Sequence, residues 1–204
     1  MDRPELAPGA PFRGAGSPAR PGPRLYLLVA LLVILLGLPS LTAPFGFDQA
    51  TFAVVGERSV SGGTVYRDGW DLKPPLIFWL YGGVLYLGLP GEVAVHAADL
   101  VAVLLTAELL LALVGGAWSA GPGVIAALAY AVWYFVTMKY LNLAQPESFA
   151  GPLLLGALFL LVRKPRTLGW GLLTGLLLAG ALLLKFTFAA FLVLPLACVW
   201  LRGR

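Results

Sequence analysis

Cysteine and histidine occur once each in this chain, and charged residues make up only 12% of its 204 positions. The lone Cys198 sits in an apolar run, so an intrachain disulfide is impossible and no thiolate cluster can serve redox or metal chemistry. A single histidine, His96, excludes the two-histidine patterns of many metal sites. Glycine-rich phosphate loops of the Walker or dinucleotide kind are also missing, which removes the usual mark of a nucleotide site. What is plentiful is apolar: 59% of the residues, with a mean hydropathy of +0.87. That composition describes an integral membrane protein. The net charge of +4 is carried largely by short basic segments beside apolar runs, so it reads as a topology signal and not as a nucleic-acid footprint.

Residues 1–24 combine Pro, Gly and Ala with Arg3, Arg13, Arg20 and Arg24 and offer little apolar surface to bury. They are predicted to form a disordered, basic cytoplasmic tail. The run Leu25–Leu38 that follows has no convincing small-residue cleavage site and is expected to anchor the chain. Further apolar runs cover 75–89, 92–114, 122–138, 146–162, 168–184 and 185–201. If 75–89 crossed the bilayer, Arg163, Lys164 and Arg166 would fall on the side opposite Arg24, against the positive-inside rule. The sequence therefore predicts an all-α membrane domain over 25–204 with about six spans. Both termini would lie in the cytoplasm, and the first loop, 45–91, outside. Phe78, Trp79, Tyr81 and Tyr86 suit an interfacial helix within that loop.

The loop contains the chain's densest polar stretch, FGFDQATFAVVGERSVSGGTVYRDGWDLKPP over 45–75. Carboxylates and ammonium groups are costly in hydrocarbon, so chemistry on a membrane-borne substrate belongs at such an edge. Asp48 follows the first run closely; it is either a reactive carboxylate or the N-cap of a helix beginning near Gln49. Lys73, before Pro74 and Pro75, is held near a helix start, where an ammonium and backbone amides together suit a phosphate; the alternative is a snorkelling lysine. Glu147, after Gln145 and Pro146, reads first as a helix-start carboxylate, and its placement on the side of Asp48 leaves a reactive role open. His96 and Asp99, one turn apart, are expected to pair locally. Glu108 lies deeper and needs a polar partner, water or a proton. Lys185 is a turn residue or a ligand.

These motifs carry a resemblance. The order of a first span, FDQATFA, VYRDGWDLKPPLIFWLYG, a span, and NLAQPE before another span resembles the polyprenyl-phosphate-sugar-dependent membrane glycosyltransferases. It is similar to their bacterial branch, related to protein O-mannosyltransferases and the lipid A aminoarabinose transferase. The similarity covers about residues 25–204 and corresponds to the N-terminal part of relatives, which are usually longer. Many relatives show Asp-Glu where this chain has Asp48-Gln49.

The resemblance implies that Asp48 acts as catalytic base, that Lys73 holds the lipid phosphate, and that Glu147 is an accompanying acidic residue. Arg67 or Arg58 would assist at the phosphate, with Tyr66 and Trp70 beside them in the donor site. The expected partners are a polyprenyl-phosphate sugar donor, a glycan, lipid or protein acceptor, and membrane lipid, with no nucleic acid. The sequence requires no cofactor; some members of the superfamily use a divalent metal, and no ligand cluster here demands one. The competing class is a non-enzymatic transporter or structural subunit, in which Asp99 and Glu108 would form an intramembrane relay. Against it, no repeated half with matching interrupted helices is visible.

Overall fold

The computed structural model describes residues 21–164 and 167–193, together with Ala197 and Trp200. Residues 1–20 of the tail predicted over 1–24, with Arg166, Cys198, Arg202 and Arg204, lie outside the described residues, while Pro23 and Arg24 already belong to the first helix. Among those described, the chain is helical: seven α-helices with short 3-10 and π segments, and a single isolated bridge between Val65 and Gly69. The α-helices are α1 (Pro23–Gly37), α2 (Phe47–Val60), α3 (Leu76–Leu85), α4 (Gly91–Ala117), α5 (Ala120–Val132), α6 (Pro146–Arg163) and α7 (Leu168–Leu184).

Among the described residues, four continuous helical stretches are long and apolar enough to cross a membrane: Pro23–Thr42, Gly91–Ala117, Ala120–Thr137 and Pro146–Arg163. The first gains length from a 3-10 turn over Leu38–Thr42, and the third from a π segment over Trp133–Thr137. Helix α7, at 17 residues, stands at the lower end of what spans, about 17. The described part of the expected 185–201 span is a 3-10 segment, Phe186–Leu192. The protein is thus an all-α membrane protein.

Its surface is apolar where a soluble protein's would be polar. Leu27, Leu31 and Leu35 on α1, Val101 and Leu105 on α4, and Leu172 and Leu176 on α7 are exposed. Small residues fill the helix contacts, with Ala102, Ala107, Ala127 and Ala131 buried. This is the pattern of packing in lipid, where close backbone approach replaces hydrophobic exclusion as the source of contact energy.

Helix α4 is central and touches α1, α5 and α6, while α2 lies against α3, and α7 against α6 and α3. The α2–α3 crossing depends on two glycines. A Cβ on Gly56 would come within 2.6 Å of both the Gly82 nitrogen and the Phe78 carbonyl oxygen, so no larger residue fits without separating the helices. The buried Phe52, Phe78 and Tyr81 stack edge-on beside this crossing, each such pair adding about 0.5–1.5 kcal/mol beyond its buried area.

Candidate active site

Helix α2 begins at Phe47 because Gln49 reaches back: its side-chain oxygen accepts a hydrogen bond from the Gly46 backbone N–H. Gly46 is the N-cap, so Asp48 lies in the first turn and is not the capping residue. Its carboxylate accepts no hydrogen bond and makes no ion pair among the described residues.

Lys73 is fixed through its backbone. Its N–H donates to Asp71 Oδ1 at 2.8 Å, and its carbonyl accepts from the Tyr66 hydroxyl at 2.8 Å. Burial, then the Asp71 carboxylate, push the Tyr66 hydroxyl above its ordinary range, which keeps it a donor. Pro74 and Pro75 lead from there into α3, and the Lys73 ammonium rests 5.6 Å from the centre of the Phe52 ring.

Glu147 lies in the first turn of α6, after Gln145 at the N-cap and Pro146. Lys185 caps the C-terminus of α7. The two form an ion pair, each at the helix end whose dipole favours its charge.

Asp48, Lys73, Glu147 and Lys185 line one pocket of about 440 Å³, within the ordinary range of small-molecule sites, about 300–1,000 Å³. Tyr130, Trp133 and Tyr134 give it an aromatic wall that Met138 extends, and Asn142, Gln145 and Ser148 a polar rim. Two carboxylates and two ammonium groups therefore meet at one end of the helical bundle.

Behind the pocket lies a buried polar clamp that sequence reasoning missed. Asp99, fully buried in α4, accepts from the Tyr134 hydroxyl, which lies 2.8 and 2.9 Å from its two oxygens. The same hydroxyl accepts the Ala144 N–H at 3.1 Å, and Tyr81 from α3 donates to the Ala144 carbonyl at 2.8 Å. From α2, the buried Gln49 amide donates to the carbonyls of Leu143 at 2.6 Å and Tyr140 at 3.2 Å. Ala144 is held at φ +51, a left-handed conformation costly to a residue with a Cβ. Side chains from α2, α3 and the π segment, the last held by Asp99 of α4, thus fix the loop that carries Asn142 and Gln145 and leads into Glu147.

Other expected contacts are rearranged. His96 and Asp99 do not pair: His96 Nε2 meets the Ala43 carbonyl at 3.1 Å, while Asp99 turns to Tyr134. Neither Glu108 oxygen has a hydrogen-bond partner among the described residues. Arg58 and Trp70 border a separate depression with Phe47 and Thr51. Arg67 pairs with its neighbour Asp68 at 2.7 Å on the surface, and Tyr66 stands behind Lys73. Among the described residues, no group of three or more His, Cys, Asp and Glu side chains gathers as a cation site.

Spans packed through small residues, with a pocket of paired charges at one end of the bundle, define a multi-pass membrane protein. Residues 72–203 match the model of the dolichyl-phosphate-mannose-protein mannosyltransferase family, and the chain belongs to that family. It is accordingly a membrane glycosyltransferase of the mannosyltransferase type. The match includes Lys73, Glu147 and Lys185; Asp48 precedes it. No curated protein and no solved structure matches the chain.

Proposed function

We propose that the chain transfers a sugar from a polyprenyl-phosphate donor to a hydroxyl or amine of a glycan, lipid or protein at the outer face of the plasma membrane. The observation that carries this reading is the convergence of Asp48, Lys73, Glu147 and Lys185, from four separate stretches of chain, on one pocket.

The lipid phosphate is already a leaving group, so the protein must steady its charge and remove a proton from the acceptor. Lys73 does the first, with Lys185 beside it. Asp48, without a hydrogen-bond or ion-pair partner among the described residues, does the second as general base. The acceptor oxygen or nitrogen attacks the anomeric carbon as the bond from that carbon to the phosphate oxygen breaks. The bonding pair leaves with the phosphate, the acceptor proton passes to Asp48, and the configuration at the anomeric carbon inverts. Glu147 orients Lys185 and the acceptor. Each of these steps uses side chains present in the pocket.

Mass spectrometry of envelope glycans and glycoproteins tests the reading. Deleting the gene should remove a defined sugar modification that the wild-type gene restores and an Asp48→Asn gene does not. Unchanged glycans on deletion would overturn it. The outer-face placement predicts that cysteine at Ser61, but not at Thr167, reacts with an impermeant maleimide in intact cells; labelling at Thr167 would reverse that part.

A further inference from the structure

A second cavity, of about 260 Å³, lies at the far end of α6 from the Asp48 pocket. Glu147 and Arg163 are near opposite ends of this helix, and at 1.5 Å per residue the two sites are ~24 Å apart along it. That separation approaches the ~30 Å hydrocarbon thickness, so the second cavity sits near the opposite headgroup layer. Tyr26 of α1, Ala112 and Gly116 of α4, and Phe159, Arg163 and Lys164 at the end of α6 line it.

Two features distinguish this cavity from a simple run of interfacial cations. Its cations are held but not neutralised. The Arg163 guanidinium lies against Gly116, where a Cβ would meet Cζ at 2.8 Å, and it donates to the Leu113 carbonyl at 3.5 Å. Lys164 rests over the Trp170 ring at 5.0 Å. Neither cation makes an ion pair among the described residues, and most of the guanidinium's five donors remain available. The walls are also of two kinds, with Phe159 and Ala112 apolar and the Tyr26 hydroxyl polar. Glu108, one turn further into the span, does not line the cavity, and neither of its oxygens contacts Arg163.

We infer that this cavity binds the headgroup of an anionic phospholipid. The phosphodiester sits between Arg163 and Lys164, its glycerol end lies on Phe159, and the acyl chains run into the surrounding bilayer. Basic pockets between membrane helices take anionic headgroups by this combination of charge and shape. The phosphate recognised is a structural lipid's and lies at the other end of the bundle from the donor phosphate, so the inference stands apart from the transfer reaction.

The test is native mass spectrometry of the full chain in mild detergent, titrated with phosphatidylglycerol, phosphatidylcholine or inorganic phosphate. Phosphatidylglycerol should bind about tenfold more tightly than phosphatidylcholine, whose phosphodiester is the same but whose quaternary ammonium is repelled by Arg163 and Lys164. The double variant Arg163→Gln, Lys164→Gln should lose that preference. Gly116→Leu, which keeps both charges but displaces the guanidinium, should weaken phosphatidylglycerol binding several-fold. Lys164→Gln alone changes an exposed side chain whose contact is the Trp170 ring, and gives a reading should the other variants fail to fold. Equal binding of the two lipids, or an undiminished preference in Lys164→Gln and the double variant, overturns the inference. So does inorganic phosphate binding as tightly as phosphatidylglycerol, which would make the cavity a free-anion site.

Discussion

Asp48 and Lys73, at the two ends of the polar stretch 45–75, face one pocket, whereas Arg58, Arg67 and Trp70 in its middle face another depression or open water. The ends are fixed by helix starts: Gln49 at α2, and the Asp71–Tyr66–proline framework before α3. The middle is a small turn, with Tyr66 at φ +74, closed on itself by the Tyr66 N–H to the Gly69 carbonyl at 2.8 Å. Local density of charge thus says little about a site. What counts is which charges sit beside an element that also touches the other side of the pocket.

The strongest way to break this contrast is Asp48→Asn. Loss of a general base should lower turnover by ~10²–10⁴-fold, with membrane insertion unchanged, since Gln49 and not Asp48 makes the capping contact. Full transfer by a well-folded Asp48→Asn protein would sink the base assignment. Next in size is Lys73→Ala, which should weaken donor binding by roughly 10- to 100-fold, the worth of one charge-assisted contact; Lys73→Arg should recover part of it. Donor titration before and after the change decides.

Glu147→Gln should cost less than either, about threefold to tenfold in turnover, because it orients Lys185 and removes no proton. A loss as large as that of Asp48→Asn would make Glu147 the base instead. The smallest effect belongs to the middle of the stretch. Arg67→Ala should leave transfer within about twofold, as for an exposed pair. Asp68 sharpens the same point through pH. Its hydrogen bond from Arg67 holds its carboxyl down at about 2, from 3.8. A depressed carboxyl contributes stability above its unfolded value and loses it only as pH falls through the folded one. Protection of the turn from pepsin should therefore fall only as pH drops from about 4 to about 2. A loss already complete at about pH 4 would show that Arg67 does not hold the carboxyl down.

Four of the expected spans and the α6 helix start were legible because hydropathy, proline and capping chemistry are local signals, as Pro146 and Glu147 show. Asp48 and Lys73 were legible as candidates from their place beside apolar runs. The clamp was not. Gln49 meets residues 91 and 94 positions away, Tyr81 one 63 away, and Tyr134 one 35 away. No periodicity announces such pairs. An aspartate within an apolar span did signal that Asp99 needed a partner, but the helical spacing pointed to His96, and only the fold shows Tyr134. The Lys185 contact with Glu147 likewise joins helix ends 38 residues apart.

The Gly56–Gly82 crossing also carries a consequence for biogenesis. α2 and α3 meet through residues close in sequence, so this hairpin can close as soon as the ribosome has delivered α3. The Ala144 clamp cannot close until α5 has been inserted and the following loop has emerged, and the Glu147–Lys185 contact waits for α7. The pocket is therefore among the last parts of the molecule to assemble. A nascent chain halted before α7 would carry a finished hairpin and an unfinished site, and a quality-control factor that senses unpaired charge would find Glu147 still without Lys185.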